Sequence, residues 1–217
     1  MSDKSNKFGY VGVDIPAQSF GNNKGVFNPA EINELVADNK WTQYGQLELI
    51  QTQTASNVAE INFTDIKEDI YNVHLLTANN ITITGTDNVR PSIRFYESGV
   101  VETAAVYEDA LERGIANGSF TDTRSTGRDH IYWMKNMTNN TNGNGNGYCY
   151  IYNAGDNTKF TFTTMHTSIY YRLNELAFDF GSGVLPQASI VDGIRIFAYT
   201  SDTFATGTFS LYGIKEY

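Results

Sequence analysis

Apolar and polar residues alternate with a period of two in several segments of this chain, and that period restricts the fold more than any other feature. Successive side chains of a β-strand point to opposite faces, so alternation indicates a strand with one face in the core and one in solvent. Clear examples are Ala59–Phe63, Tyr71–Leu75 and Ile93–Phe95. In the second example the pattern assigns the apolar residues to the core and places His74 on the polar, solvated face.

Other segments have the same strand character. They are Gln46–Thr52, Gly99–Tyr107, Ile131–Met134, Tyr148–Tyr152, Phe160–Thr164, Leu176–Phe180, Ile194–Tyr199 and Thr208–Ile214. The total of about ten or eleven strands suits two packed antiparallel sheets. The many Gly, Thr, Asn, Tyr and Phe residues also favour strands joined by turns. The sequence therefore predicts an all-β fold, an antiparallel jelly-roll-like β-sandwich.

Two segments do not read simply as strands. In Ala104–Gly114 and the residue that follows it, Tyr107, Leu111 and Ile115 recur every four residues, so one or two helical turns compete with a strand there. The segment Asn139–Gly147 is wholly polar and alternates Asn with Gly towards its end. That composition predicts a long flexible hairpin loop.

The chain begins with a segment, residues 1–26, that has no sustained period and is rich in Gly, Asn, Ser and Lys. We expect an extended N-terminal arm. Free disordered tails carry few aromatic residues, so the apolar residues scattered here suggest an arm that docks on something, either another protein or its own domain. The expected anchors, including one just beyond the arm, are Phe8, Tyr10, Val11, Ile15, Phe20 and Phe27.

The clearest local signal follows the arm. Asn28 suits the cap of a helix, Pro29 suits the first helical position, and Glu31 suits the third residue of a capping box. A short helix to about Asp38 is therefore predicted, ending before Trp41. The chain then divides into an arm over 1–26, a capped helix and lead-in over 27–41, and a β-sandwich domain over 42–217.

Charge and hydropathy exclude several classes of function. The formal net charge is -9, and the field of such a chain repels nucleic acid, so no direct nucleic-acid binding is expected. No segment approaches the roughly 20 apolar residues of a membrane span, and the N-terminus lacks the apolar run of a signal peptide. We expect a soluble protein that does not bind membranes. The one cysteine, Cys149, sits in an aromatic strand and is expected to be a small buried hydrophobe.

No pattern in the sequence indicates catalysis. His74, His130 and His166 stand far apart without the spacing of a metal site, and no nucleophile elbow occurs. The alternating acidic motif of many sandwich-fold glycosidases is also absent, and the acids between Glu97 and Glu112 read as solvated positions. We expect no catalytic residue, no cofactor and no resident metal.

A row of tyrosines is the strongest candidate for a binding surface. Tyr148, Tyr150 and Tyr152 share one face of a predicted strand, while Cys149 and Ile151 share the other. Three roles stay open for this row: a surface that stacks on sugars, an interface between subunits where Tyr is enriched, or one wall of the core.

Two parts of the sequence resemble structural proteins of tailed bacteriophages of aquatic bacteria. One is the lead-in from Gly25 to Trp41, in which a short helix precedes a sandwich, and the other is the closing pair of strands within Asp192–Tyr217, with its ending Gly207–Lys215. Virion proteins of this type are capsid decorations, tail or collar components, or parts of fibres.

The resemblance implies a non-enzymatic virion structural protein that decorates the capsid or attaches to the tail or collar. Its partners would be other capsid or tail subunits, gripped by the arm, and it would form a homo-oligomer, with a trimer as the expected state. It would be made in the host cytoplasm and located in the virion. The alternative is a carbohydrate-binding, lectin-like domain of a tail fibre that adheres to a host surface glycan.

Overall fold

The strands expected from the alternation are present in the computed structural model of the chain. The structure describes residues 29–37, 47–85, 87–140, 142–199 and 202–215. The chain divides into two units, residues 1–45 and 46–217, and each is described by itself. The predicted arm and the predicted boundary between residues 41 and 42 lie outside the described residues.

The described part of the first unit is helix α1, Pro29–Ala37. Its first residue is the proline expected there, because the fixed φ of proline suits the first helical position and its missing N–H has no partner to lose. Its last residue lies next to the predicted end at Asp38. None of its residues is buried, and Val36 is 55% exposed.

Thirteen strands form the described part of the second unit. They are β1 Leu47–Val58, β2 Glu60–Phe63, β3 Val73–Thr84, β4 Arg90–Glu97, β5 Val100–Val101, β6 Tyr107–Ile115, β7 Phe120–Arg128, β8 Ile131–Tyr132, β9 Gly145–Tyr152, β10 Thr161–Tyr171, β11 Glu175–Leu185, β12 Val191–Tyr199 and β13 Thr203–Ile214. Every paired strand runs antiparallel to its neighbour. The all-β prediction is confirmed.

The strands form two sheets. Eight of them follow the order β1-β13-β3-β9-β10-β11-β6-β7, and the smaller sheet follows β2-β12-β4-β5, with β8 also paired to β4. This order does not confirm jelly-roll connectivity, which stays a prediction. The edges of the large sheet are β1 and β7.

One hydrophobic core joins the inner faces of the two sheets. The large sheet contributes residues such as Leu76, Cys149 and Phe209, and the small sheet contributes Ile93 and Ile196, all with no exposed surface. Burial of each such side chain contributes roughly 1.5–3 kcal/mol. The prediction that Cys149 is a buried hydrophobe is confirmed.

Strand β3 has the opposite phase to the one predicted. His74 and Leu76 face the core, whereas Val73 and Leu75 lie on the outer side and are half-buried. The expected solvated position of His74 is therefore wrong. Its Nε2 lies 2.8 Å from the carbonyl oxygen of Ile66, and this hydrogen bond allows the imidazole to be buried.

The ambiguous segment around Leu111 is strand β6, so the helical turns considered there do not form. The predicted strand Gly99–Tyr107 is interrupted, because residues 102–106 lie between β5 and β6. The predicted loop Asn139–Gly147 is shorter than expected. Its last three residues begin β9, where Gly145 is buried and pairs with Ile169 of β10.

Strand β7 has no counterpart among the predicted strands. It carries Asp122, Arg124 and several hydroxyl side chains, and most of its residues are exposed. Its backbone pairs with β6 from Arg128 to Phe120, and no strand pairs with its other side in the part of the chain that the structure describes. The strand therefore forms a polar edge of the large sheet.

Candidate functional site

The three tyrosines of the predicted row lie on the outer face of the large sheet. Tyr148 is 43% exposed, and Tyr150 and Tyr152 are half-buried. The rings of Tyr150 and Tyr152 are stacked, with centroids 6.3 Å apart and an interplanar angle of 24°. Cys149 and Ile151 are buried on the inner face, so the predicted division of this strand is confirmed.

Neighbouring strands extend this row with phenylalanines that were not singled out from the sequence. Phe162 of β10 lies opposite Tyr152, and Phe178 and Phe180 of β11 are stacked with centroids 6.2 Å apart. His166 lies between the two groups, since its ring contacts both Tyr148 and Phe178. The aromatic face of this protein is defined by Tyr148, Tyr150, Tyr152, Phe162, Phe178 and Phe180.

The most unusual property of this surface is its lack of charge. The chain has 39 charged residues, 15 basic and 24 acidic, yet the five adjacent strands β13, β3, β9, β10 and β11 contain only two of them. Asp179 points into the core with 1% exposure, and Glu175 is the first residue of its strand, where its carboxylate accepts a hydrogen bond from Asn117. From Leu176 onward, the outward positions of β11 carry no Asp, Glu, Lys or Arg, and the same holds for the other four strands.

Apolar residues continue towards both edges of the sheet. On β1, Leu47 and Leu49 are about half exposed and lie opposite Ile214 and Tyr212 of β13. On β7, Phe120 is 66% exposed, and its ring meets that of Phe178 edge-on. At the outward positions of the described strands of this sheet, charged residues appear only beside this second edge, on β6 and β7.

A groove indents the sheet where the aromatic face meets these charged strands. Its volume is about 520 Å³, and it is lined by Phe162, Val184, Ser182, Ala110, Glu108 and Arg124, among others. Ala110 of β6 and Ser182 of β11 lie opposite each other and have small side chains, whereas Glu108 and Val184 beside them have longer ones. This volume lies within the range of pockets that hold small ligands.

A buried ion pair lies directly beneath the aromatic face. Asp179 stands between Phe178 and Phe180 in β11 and accepts two hydrogen bonds from Arg113 of β6, at 2.7 and 2.6 Å. The backbone N–H of Lys135 also donates to Asp179, at 3.2 Å. These bonds fix β11 to β6 and to the segment that contains Lys135. They thereby also hold the rings of Phe178 and Phe180 in place.

A second polar cluster packs on the outer side of the small sheet. Nδ1 of His130 lies 2.6 Å from Asp129, whose carboxylate also binds Arg94. Burial lowers the pKa of His130, and the neighbouring Asp129 carboxylate opposes that shift. Its Nε2 has no hydrogen-bond partner among the described residues and is buried among rings that include those of Tyr132 and Tyr199. The cluster therefore holds His130 in place through its hydrogen bond to Asp129.

The remaining candidates from the sequence have these positions. His166 is exposed on the outer face of β10. Asp109, predicted to be solvated, is 4% exposed and forms an ion pair with Arg128, so that prediction is wrong.

The predicted anchors of the arm lie outside the described residues. They are Phe8, Tyr10, Val11, Ile15, Phe20 and Phe27.

Three further observations complete the description. Across the described ranges, no group of three or more His, Cys, Asp or Glu side chains is arranged to hold a metal ion. None of the helices in those ranges has the length and apolar character needed to cross a membrane. The chain matches no protein-family model, no curated protein and no solved structure.

Proposed function

We propose that this chain is a non-enzymatic structural protein of a tailed-phage virion, which decorates the capsid or attaches to the tail or collar. Its aromatic face binds a neighbouring protein subunit, and its N-terminal arm grips other virion subunits. The phage assignment rests on the sequence resemblance in the lead-in and the closing strands.

The observation that carries the assembly role is the uncharged outer face of the large sheet. The centres of protein interfaces are depleted in charged residues and enriched in Tyr and Phe. Exposed aromatic rings grouped on one face, such as those of Tyr148 and Phe180, mark interaction sites on soluble proteins. Ordinary solvated sheet faces, in contrast, carry polar and charged residues at outward positions.

The test is the composition of virus particles. The chain is expected to co-purify with particles of the phage that encodes it, at a fixed copy number measured by quantitative mass spectrometry. A Phe178→Ser, Phe180→Ser double variant is expected to lose most of its occupancy, because both rings are outward and partly exposed. Val100→Ser is the matched control, since Val100 is 70% exposed but lies in the small sheet.

Two results would overturn the proposal. Absence of the chain from washed particles would exclude a virion role. Normal occupancy of the Phe178 and Phe180 variant would exclude the aromatic face as the attachment surface. Circular dichroism of the isolated variants separates lost attachment from lost folding.

A second candidate function is carbohydrate binding, as in a lectin-like adhesion domain. The groove favours it, because the ring of Phe162 lines the same cavity as the hydroxyl group of Ser182 and the charged groups of Glu108 and Arg124. Aromatic rings stack on sugars, and these polar groups would bind hydroxyls. Calorimetric titration with host surface polysaccharide tests this function. Binding that disappears in Phe162→Ala and persists in Val100→Ala would support it, and no heat of binding would exclude it.

A further inference from the structure

We propose that the aromatic face binds the same face of a second copy, so that two large sheets pack against each other about a twofold axis. The inference rests on the proposed function, because it names the partner of the surface used there. It differs from the trimer expected from the resemblance, since two self-complementary faces close an assembly at two copies.

Electrostatics favours this face over other surfaces for self-association. Each copy carries a net charge of -9, so two copies repel each other over most orientations. The repulsion is smallest where the meeting surfaces bear no charge, as across the five strands from β13 to β11. The charged residues at the β6 and β7 side are of both signs, because Glu108, Glu112 and Asp122 stand near Arg124.

The area of the face agrees with a stable dimer. Five strands about 4.8 Å apart, each with about four outward residues, span about 600 Å², and all eight strands span about 900 Å². A standard interface buries about 800 Å² per partner. The half-exposed Leu47 and Leu49 on β1 and the exposed Phe120 on β7 add apolar contact at the two edges, although charged residues of β6 and β7 lie within this full width.

The chemistry of the outward side chains also suits a dry sheet-on-sheet contact. Stacked rings such as Tyr150 with Tyr152, and Phe178 with Phe180, present wide apolar surface with few rotatable bonds. Packed sheets lie about 10 Å apart, and interdigitated side chains of this size fill such a gap. Hydroxyl groups such as that of Tyr152, which bonds to Thr164 at 3.0 Å, already have partners within one copy.

The experiment is the absolute mass of the full chain in solution, measured by light scattering over a dilution series. The wild type is expected to be a dimer that added salt does not dissociate. Phe180→Lys and Phe180→Glu are each expected to raise the dissociation constant by about tenfold or more, because each places a desolvated charge against its copy. An equal mixture of the two variants is expected to recover dimers, since a mixed pair places charges of opposite sign, and not of like sign, in one interface.

Recovery in the mixture identifies the partner as a second copy, because another protein would not respond to mixing. Leu49→Lys and Leu49→Glu form a second pair at a different point of the face, and Val100→Lys on the small sheet is the control that stays dimeric. A monomeric or trimeric wild type, or dimers that tolerate all four variants, would overturn the inference. A monomeric wild type whose Phe178 and Phe180 variant still loses virion occupancy would overturn the inference alone and leave the proposed function standing.

Discussion

Arg113 and Asp179 form a bidentate ion pair in the interior of the protein. Nε of Arg113 lies 2.7 Å from Oδ1 of Asp179, and Nη2 lies 2.6 Å from Oδ2. Their side chains are 4% and 1% exposed. The guanidinium group also lies 5.0 Å from the ring centre of Tyr171 and donates to the carbonyl oxygen of Lys135. Both charges are thus compensated by partners with little contribution from water.

Removal of one member of this pair is expected to be strongly destabilising. Asp179→Asn leaves the Arg113 guanidinium buried without its counter-charge, and such a loss costs about 3–5 kcal/mol of unfolding free energy. The double variant Arg113→Met, Asp179→Leu is expected to recover much of that loss, because neither charge then remains. Urea unfolding measures both effects.

The control for the ion pair is Asp122→Asn. This carboxylate pairs with Arg124 at the surface, where the two side chains are 61% and 80% exposed. Exposed pairs contribute about 0–1 kcal/mol. Equal losses in Asp179→Asn and Asp122→Asn would show that burial adds nothing to the internal pair.

Acidification is expected to destabilise the fold through two buried histidines. Burial lowers the pKa of both His74 and His130 from the usual 6.5. Between the usual and the lowered pKa, the unfolded chain binds more protons than the folded one, so stability falls as the pH drops below about 6.5. Unfolding free energies at about pH 7 and about pH 5 measure the loss.

A variant of His74 distinguishes the titration of this buried histidine from the titration of other groups. His74→Gln keeps a side-chain N–H that can donate to the Ile66 carbonyl group but does not titrate, so its loss of stability on acidification is expected to be smaller. An undiminished loss in His74→Gln would contradict the role assigned to His74.

Gly181 is expected to tolerate no side chain. A Cβ atom built there lies 2.2 Å from the carbonyl oxygen of Ala110 and 2.8 Å from the Cα of Leu111, both backbone atoms of β6. Gly181→Ala therefore forces two strands apart and is expected to cost about 1–3 kcal/mol. In Gly127→Ala the nearest atom is at 3.6 Å, so thermal unfolding of that variant is expected to match the wild type.

The thiol of Cys149 is expected to resist modification in the folded protein. Burial raises its pKa, and the side chain has no exposed surface. A thiol reagent at neutral pH is therefore expected to react with no cysteine in the native state and with one per chain in urea. Rapid native labelling would show that the large sheet opens beneath the tyrosine row.

The sequence predicted best where the two faces of a strand differ in chemistry. In β9 the large tyrosines alternate with the smaller Cys149 and Ile151, and in the structure each of the two sets lies on its predicted face. In β3 both faces carry apolar residues, because Val73 and Leu75 belong to the uncharged outer surface while Leu76 belongs to the core. Alternation alone cannot show which of two apolar rows faces the core. The acceptor that satisfies the buried His74 is the carbonyl oxygen of Ile66, which lies before the strand.

Composition was misleading where long-range contacts decide the structure. Gly145 looks like a loop residue, yet it is buried in β9, and a Cβ there would lie 2.7 Å from the side-chain Cε of Met137, which would have to move. Strand β7 lacks an apolar row because it lies at an edge, and its pairing with β6 supplies the backbone bonds that define it. The two phenylalanines of β11 were within a predicted strand, but their place beside the tyrosines follows from strand order, which local sequence does not specify.

The polar edge strand β7 has a consequence for how copies of the chain can aggregate. An open edge offers unpaired N–H and C=O groups to any extended polypeptide, and flat apolar edges grow into fibres in this way. The exposed Asp122 and Arg124 of β7 make strand addition costly there, because an incoming strand would have to desolvate or match both charges. Growth of the sheet into a fibril is therefore opposed at this edge, although the broad surface beside it is uncharged.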